Sequence, residues 1–226
     1  MKLKSFGCSF IFGTDLADSN DGGTQLEITA SPSTWPALVA QRHNFDYECY
    51  ASAGIGNLQI LERVLAHAQS EPAIFVINWT WIDRFDYVHA KDDSWATLRP
   101  VDCAPENEYY YKHLHSQYRD KFQTLTAIKT AQDSLTQQGH TVIMTYMDRL
   151  MFETEWHSSP AISVLQDYIR PYMTKFDNMN FVDWSRENGH TISKTMHPLE
   201  SAHSAAADYM LTIFDKQSIS DHLHLS

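Results

Sequence analysis

Residues 73–78, which read AIFVIN, constrain the fold more than any other stretch of this chain. The segment is apolar at nearly every position, and a strand without polar alternation is typical of a parallel sheet whose two faces are both covered. Four further strand-like segments, at about residues 2–7, 45–50, 140–146 and 180–183, alternate with segments of helical periodicity. This alternation predicts a three-layer α/β/α sandwich around a five-stranded, mostly parallel sheet.

Length and charge limit the classes of function. The 226 residues suit a single domain, residues 1–226, with a core of full size. The formal net charge is −11 and there is no basic run. Nucleic acid is therefore not expected as a partner, since phosphate contacts need clustered Lys and Arg. No apolar stretch approaches the ~20 residues of a membrane span, so we expect no membrane partner.

The cysteines and the N-terminus bear on cellular location. Cys8, Cys49 and Cys103 form an odd set without CxxC spacing, which favours a reducing compartment over a disulfide framework. Lys2 and Lys4 precede an apolar run, but that run is short and no small-residue cleavage site follows it. We therefore expect a cytoplasmic protein, and the sequence leaves its oligomeric state open.

A long irregular section, from about residue 79 to residue 106, follows the apolar strand and is rich in aromatic and acidic residues. A loop of this length in a compact domain is commonly functional, so we expect it to border a substrate site. A helix is predicted after it, because apolar residues recur there at spacings of three and four. Its predicted apolar face comprises Leu114, Tyr118, Phe122, Leu125 and Ile128.

A serine follows the first predicted strand at a tight turn. Ser9 lies in Gly7-Cys8-Ser9-Phe10, where a sharp turn lifts the hydroxyl out of the sheet and small neighbours let a substrate carbonyl approach. Near the other end of the chain, His197-Pro198 precedes the last predicted helix. Ser9 and His197 are thus a candidate nucleophile and base. The plain structural alternatives are a turn or cap serine and a histidine before a helix-starting proline.

A second tight turn, Gly54-Ile55-Gly56-Asn57, connects the second predicted strand to a helix. Gly54 has no side chain to obstruct a bound oxyanion. Asn57 is a candidate for binding substrate, and its structural alternatives are to cap the helix or to support the loop. Strand-Gly-x-Gly-helix also suits a phosphate, although the third glycine of a dinucleotide site is missing. Nucleotide binding at this turn is therefore one alternative function.

The order of these elements resembles the SGNH (GDSL-like) hydrolase family over nearly the whole chain. Gly7-Cys8-Ser9-Phe10 resembles the first block of that family, Gly-Asp-Ser-Leu, with Cys8 in place of the aspartate. The turn at Gly54 resembles the second block, and His197-Pro198 resembles the fourth. The resemblance implies a flavodoxin-like sandwich and an esterase with Ser9 as nucleophile and His197 as base. It also implies that the backbone amides of Ser9 and Gly54 bind the oxyanion.

The third block of the family, Gly-x-Asn-Asp, is poorly matched by residues 78–81. Counting from the strand end aligns Thr80 with the asparagine of the family. Asn78 has the right chemistry but stands two residues earlier. Either side chain would add a donor to the oxyanion hole, whose loss costs about 10²–10³ in rate.

Other residues of this region are candidates for binding substrate. Trp79 and Trp81 either stack on a sugar ring or close over an acyl chain, or they pack the long loop down. Arg84 either binds a substrate carboxylate or pairs with Asp83 or Asp86.

The fourth block is Asp-x-x-His-Pro in the family, but Lys194 occupies the aspartate position here. A triad acid orients the imidazole and stabilises its charge. Asp183, at the end of the fifth predicted strand, or Glu187 would supply this carboxylate from a different position. A Ser-His dyad is the alternative.

Two short-spaced histidine pairs raise the question of a metal: His113 with His115, and His222 with His224. Neither pair is joined by a carboxylate or cysteine at a spacing typical of zinc sites. We expect no metal ion and no organic cofactor.

Together these patterns predict a serine ester hydrolase that acts through an acyl-enzyme on a small-molecule or carbohydrate ester, such as an O-acetyl group. An acyltransferase using the same site is one alternative. Another is a catalytically impaired protein of the same fold that only binds a ligand. Convergence of Ser9 and His197, with a carboxylate beside the imidazole, would argue against the impaired protein.

Overall fold

The computed structural model of the protein describes residues 1–20 and 28–223, with side chains through residue 214. Its main sheet has four parallel strands, and a separate two-stranded antiparallel hairpin lies outside it. The strands in chain order are β1 (Lys2–Phe6), β2 (Asp46–Cys49), β3 (Ile74–Trp79), β4 (Phe85–Val88), β5 (Trp95–Leu98) and β6 (Thr141–Tyr146).

The main sheet has the order β2-β1-β3-β6, and every neighbouring pair in it is parallel. The chain moves from β1 to β2 in one direction and then crosses back to β3 on the other side of β1. Ligands in open α/β sheets bind at such a reversal, outside the carboxyl ends of the strands. The ends of β1 and β3 therefore mark the expected place of a site.

Helices cover both faces of the sheet, as the buried β3 requires. All six residues of β3 are buried. One layer contains α2 packed against α8, and the other contains α3, α5 and α6 packed in that order. The helices are α1 (Ser9–Phe12), α2 (Trp35–Arg42), α3 (Asn57–Ala68), α4 (Pro105–His113), α5 (Gln117–Gln137), α6 (Pro160–Ile169), α7 (Phe181–Glu187) and α8 (Glu200–Leu223).

The predicted fifth strand, residues 180–183, is wrong, because these residues begin α7. The side chain of Asn180 accepts the backbone N–H of Asp183 at 2.9 Å, which caps the helix instead of extending the chain. Beside β6, where a fifth strand would lie, an isolated bridge joins Met144 to Met173. The sandwich prediction is confirmed, but the sheet has four strands and not five.

The long section after β3 is more regular than the sequence predicts. It contains the β4–β5 hairpin and the beginning of α4. The predicted apolar face of the following helix is correct only in its second half. Leu125 and Ile128 are fully buried, whereas Leu114, Tyr118 and Phe122 are exposed. In the described residues, no helix is long and apolar enough to cross a membrane.

Candidate active site

Ser9 lies where β1 ends, at the point where the sheet order reverses. Cys8 caps the N-terminus of the short helix α1, and Ser9 is its first residue. A Cβ at Gly7 would lie 2.8 Å from Cγ1 of Ile11 and 3.0 Å from the carbonyl oxygen of Asn78. Only glycine therefore allows the chain to turn this tightly beside β3, and that turn presents the hydroxyl of Ser9 at the sheet end.

A histidine and a carboxylate are aligned with this hydroxyl. Nε2 of His197 lies 2.8 Å from Oγ of Ser9, and Nδ1 of His197 lies 2.8 Å from Oδ2 of Asp15. An ionised carboxylate only accepts hydrogen bonds, so Nδ1 carries the ring proton and Nε2 accepts the proton of Ser9. The arrangement is that of a nucleophile, a base and an orienting acid.

Asp15 is held in its ionised form by its hydrogen-bond donors. Oγ of Ser193 donates to Oδ2 at 2.6 Å, and Oγ1 of Thr195 donates to the same oxygen. Burial is the largest single influence and acts in the opposite direction. The hydrogen bonds from Ser193, Thr195 and His197 together outweigh it and lower the pKa of Asp15 below its ordinary value. Asp15 is therefore a carboxylate at neutral pH.

The loop that carries His197 closes on itself before α8 begins. The N–H of Ser193 donates to the carbonyl of His197 at 2.8 Å, and the N–H of His197 donates to Oγ of Ser193 at 3.1 Å. Lys194, which stands at the aspartate position of the SGNH pattern, lies between two hydroxyl residues that both contact Asp15. The loop thus receives a carboxylate from the Ser9 side of the site and does not supply one.

The prediction that Asp183 supplies the acid is corrected by this geometry, because the carboxylate beside the His197 ring is that of Asp15. Asp183 lies in the first turn of α7, where its carboxylate accepts from Nδ2 of Asn180 at 2.8 Å and lies 3.6 Å from Nη1 of Arg186. Glu187, the other candidate, is the last residue of the same helix. The expectation failed because it assumed a fifth strand that would have delivered Asp183 to the sheet end.

Ser9, Asp15 and His197 open on a cavity of about 650 Å³. Phe10 forms part of its wall, with its ring 4.8 Å from the His197 ring and 5.4 Å from the Trp81 ring. The turn after β2 and the open end of the β4–β5 hairpin form further parts of the cavity wall. Lining residues from these two segments include Gly54, Asp83, Arg84, Arg99, Pro100 and Val101.

Two backbone amides at the cavity are candidates for binding an oxyanion. Gly54 has a φ of +83°, a left-handed conformation that favours glycine. Within the described parts of the chain, the N–H groups of Ser9 and Gly54 donate to no other protein atom. Both residues line the cavity. Their amides are therefore available to a developing negative charge.

The N-terminus of α3 is already occupied by a carboxylate of this chain. Asp86, which is buried, accepts the N–H groups of Gly56 at 2.9 Å, Leu58 at 2.9 Å and Gln59 at 3.0 Å. A phosphate at this turn would need the same donors. The arrangement argues against nucleotide binding at the turn and also attaches the β4–β5 hairpin to α3.

Neither side chain proposed as an extra oxyanion donor lines the cavity. Nδ2 of Asn78 donates to Oγ1 of Thr145 at 2.8 Å, inside the sheet layer. Thr80 is fully buried, and its main chain is held by the side chain of Asn57. The expectation for Asn78 and Thr80 is corrected on this ground, because both side chains are buried at the strand end and neither lines the cavity.

Of the four candidate substrate-binding residues, the structure brings two to the cavity. Trp81 and Arg84 line it. Trp79 is fully buried, and its indole N–H points at the sulfur of Met144, 3.3 Å away. Asn57 is buried and supports the loop after β3, which was the structural alternative for this residue.

Among the described residues, no group of three or more His, Cys, Asp and Glu side chains is placed to hold a metal ion. The side chains of His222 and His224 lie outside the described residues. His203 is fully enclosed, and its Nδ1 accepts the backbone N–H of Trp35 at 3.0 Å, so it acts as a packing and hydrogen-bonding residue.

Sequence reasoning missed Asp15 and Arg99. Asp15 stands in the loop just after Ser9, and the one available signal was its closeness in sequence to the candidate nucleophile. Its φ of +72° places it in a conformation that Asp adopts more readily than most residues. Arg99 had no signal beyond its position in the long section after β3.

Comparison with known proteins identifies the fold but not a sequence family. No family model matches the chain, and no curated protein matches it. A G-D-S-L family lipolytic protein from Veillonella parvula is 13% identical, with a TM-score of 0.52 over 95% of this chain and 98% of that one. The esterase EstA from Pseudoalteromonas sp. is 11% identical, with a TM-score of 0.52 over 96% and 97% of the two chains.

An acetyl xylan esterase, Est2A from the rumen bacterium Butyrivibrio proteoclasticus, is also similar. It is 13% identical, with a TM-score of 0.53 over 96% of this chain and 64% of that one. At such identities the likeness concerns the fold. The expected resemblance is confirmed at that level: this chain has the SGNH hydrolase fold shared by GDSL lipolytic proteins and carbohydrate esterases.

Proposed function

We propose that the protein is a serine ester hydrolase that acts through an acyl-enzyme formed on Ser9. The observation that carries the proposal is the line of hydrogen bonds from Ser9 Oγ to His197 to Asp15, each 2.8 Å long. The site is also enclosed, with Ser9 and His197 only 6% and 9% exposed. This convergence argues against a protein of the same fold that has lost its catalytic groups.

In the first half of the reaction, Oγ of Ser9 attacks the acyl carbon of the ester while Nε2 of His197 takes the hydroxyl proton. The carbonyl oxygen becomes negatively charged and is bound by the amides of Ser9 and Gly54. The intermediate collapses when His197 returns the proton to the leaving alcohol. The acyl group then remains on Ser9 as an ester.

Water completes the cycle by the same steps. His197 removes a proton from water, the resulting hydroxide attacks the acyl carbon, and Oγ of Ser9 leaves with the proton from His197. A carboxylic acid is released. Throughout, Asp15 keeps the ring oriented and stabilises its positive charge.

The substrate proposed from the sequence is a small-molecule or carbohydrate ester, such as an O-acetyl group. Similarity in fold to carbohydrate esterases supports this choice. Trp81 gives the cavity an aromatic wall of the kind that packs against a sugar ring.

Hydrolysis of 4-nitrophenyl acetate by the purified protein tests the proposal. Ser9→Ala and His197→Ala are each expected to lower kcat/KM by about 10³-fold or more, because the nucleophile and the base act as a unit. Ser134→Ala, in α5 away from the cavity, is the matched control and should behave as the wild type. Labelling by a fluorophosphonate, located by peptide mass spectrometry, should modify Ser9. Turnover that survives in Ser9→Ala would overturn the proposal.

A further inference from the structure

Two arginines reach the cavity from the two strands at the open end of the β4–β5 hairpin, and ester hydrolysis alone requires neither. Arg84 directly precedes β4, and Arg99 directly follows β5. Phe85 pairs with Leu98 in the hairpin register, so the two arginines occupy the next facing positions at its open end. Both side chains line the cavity that contains Ser9 and His197.

The backbone that carries these arginines is held by hydrogen bonds from neighbouring side chains. Oη of Tyr111 lies 2.6 Å from the carbonyl oxygen of Asp83 and 2.9 Å from that of Leu98, which ties the two ends of the hairpin together. Nδ2 of Asn107, a buried residue, donates to the carbonyl of Arg99 at 2.7 Å. Asp86 holds the same hairpin on α3. The guanidinium groups are therefore presented by a rigid frame.

The Arg84 guanidinium contacts a carbonyl group and an aromatic ring. Its Nη1 donates to the carbonyl of Ile55 at 2.8 Å, and its guanidinium lies over the Trp81 ring, 5.0 Å from the centroid. Of the carboxylates in the described ranges, none forms an ion pair with Arg84, including the neighbours Asp83 and Asp86. Asp86 is instead committed to the N-terminus of α3.

Arg99 is neutralised on one edge and open on another. Its Nε and Nη2 donate to the two oxygens of Asp102 at 2.8 and 2.7 Å. Its Nη1 is directed towards Gly54, since a Cβ added at Gly54 would lie 3.1 Å from it. Nη1 can therefore donate to a bound group without breaking the pair with Asp102.

Arg84 and Arg99 differ in how closely their charges are paired with carboxylates. Arg99 is matched by Asp102, whereas Arg84 forms no ion pair with a carboxylate of the described residues. Asp83 also lines the cavity and interacts electrostatically with Arg84, and burial, followed by the nearby Asp148, raises its pKa. A guanidinium with no carboxylate within ion-pair distance can bind a singly charged group such as a carboxylate. The Arg84 cation also contrasts with the chain's net charge of −11.

We propose that the substrate is an ester that carries a carboxylate, with Arg84 as the principal binding group and Nη1 of Arg99 as a second donor. The inference rests on the proposed ester hydrolysis and narrows its substrate class. Guanidinium groups suit this task because their planar donors match a carboxylate in geometry as well as in charge.

Matched substrates test the proposal, each pair differing only in a carboxylate or its neutral amide. One pair carries the group on the alcohol part: 4-acetoxybenzoate and 4-acetoxybenzamide. The other carries it on the acyl part: the mono-4-nitrophenyl esters of adipic acid and of adipamic acid. We expect at least one carboxylate member to be favoured by about 10-fold or more in kcat/KM at low salt. The preference should shrink as sodium chloride is added.

Variants assign the preference to the two arginines. Arg84→Gln should bring the ratio of kcat/KM values close to one, Arg99→Gln should lower it less, and Arg84→Lys should retain part of it. Arg42→Gln removes a charge at a distant ion pair with Asp208 and should leave the ratio unchanged. The proposal is overturned if neither pair shows a carboxylate preference. It is also overturned if Arg84→Gln keeps the preference, or if both arginine variants slow the neutral and charged esters equally.

A binding measurement separates this proposal from that of hydrolysis. Calorimetric titration of the Ser9→Ala protein with benzoate and with benzamide requires no turnover. Benzoate should bind more tightly, and Arg84→Gln should remove the difference. Equal binding of the two probes, together with hydrolysis of neutral esters that depends on Ser9, would end the carboxylate proposal and leave the hydrolase standing.

Discussion

Oδ2 of Asp15 lies 2.8 Å from Nδ1 of His197, although 182 positions separate the two residues in the chain. The acid comes from the loop after the nucleophile, and the base comes from the loop before the last helix. Ser193 and Thr195, the residues before and after Lys194, also donate hydrogen bonds to this carboxylate oxygen. The loop that carries His197 therefore surrounds a carboxylate that comes from the loop after Ser9.

Asp15→Asn is expected to lower kcat/KM for 4-nitrophenyl acetate by about 10²–10⁴-fold, because an amide neither stabilises the imidazolium nor secures the right tautomer. Asp183→Asn is the control, since Asp183 lies in the α7 cap and does not contact the ring. Steady-state kinetics of the two variants shows whether Asp15 or Asp183 is the acid that acts on His197. Equal losses, or a loss in Asp183→Asn alone, would remove Asp15 from the mechanism.

Gly54→Ala should lower both stability and activity. At a φ of +83°, a side chain costs about 1–2 kcal/mol, and the new Cβ would also lie 3.1 Å from Nη1 of Arg99. Gly139→Ala is a matched control, because Gly139 has a φ of +77° with no atom within 4 Å of the added Cβ. Both variants should lose similar unfolding free energy in urea, but only Gly54→Ala should lose esterase activity. Full activity in Gly54→Ala would contradict the assigned oxyanion amide.

Asp86→Asn should loosen the β4–β5 hairpin. One carboxylate oxygen that accepts backbone N–H groups of α3 becomes an amide that donates, at a cost of about 1–2 kcal/mol. Hydrogen exchange should accelerate at residues 56–59 and 85–98, which the Asp86 contacts join.

Asp92→Asn in the exposed turn of the same hairpin is the control, since the Asp92 side chain accepts hydrogen bonds from Ser94 and not from α3. Unchanged exchange in the Asp86→Asn protein would show that other contacts hold the hairpin in place.

His203 should make the protein less stable in mild acid. Burial, reinforced by the nearby His197, lowers the pKa of His203 to about 3. The unfolded chain has a histidine pKa of about 6.5, so between these values only the unfolded state takes up the proton. The free energy of unfolding therefore falls as the pH drops, by about 2 kcal/mol between pH 7 and pH 5.

His203→Asn tests this dependence, because its side-chain oxygen can still accept the N–H of Trp35. Urea unfolding at pH 7 and pH 5 should show a shallower pH dependence for this variant. His113→Asn, on the exposed end of α4, should keep the wild-type dependence. An unaltered slope in His203→Asn would place the acid sensitivity elsewhere.

The parts of the site that follow directly from local pattern were predictable. The strand before Ser9, the glycine turn at Gly54 and the histidine before α8 all lie at the ends of elements that the burial pattern marks. Their order along the chain was enough to suggest the SGNH fold. The failure at residues 180–183 has a local cause as well: Asn180 and Asp183 form a helix cap that outweighs the apolar residues between them.

The sequence by itself determined the layered fold and the segments that carry Ser9 and His197, because burial periodicity and turn residues act between near neighbours in the chain. Only the tertiary structure decided which carboxylate meets the ring, which arginines enter the cavity, and that Asp86 occupies the N-terminus of α3. These contacts join segments far apart in the chain, and several of the loops offer acidic residues. The choice among them depends on how the packed elements bring the loop ends together, which no local pattern encodes.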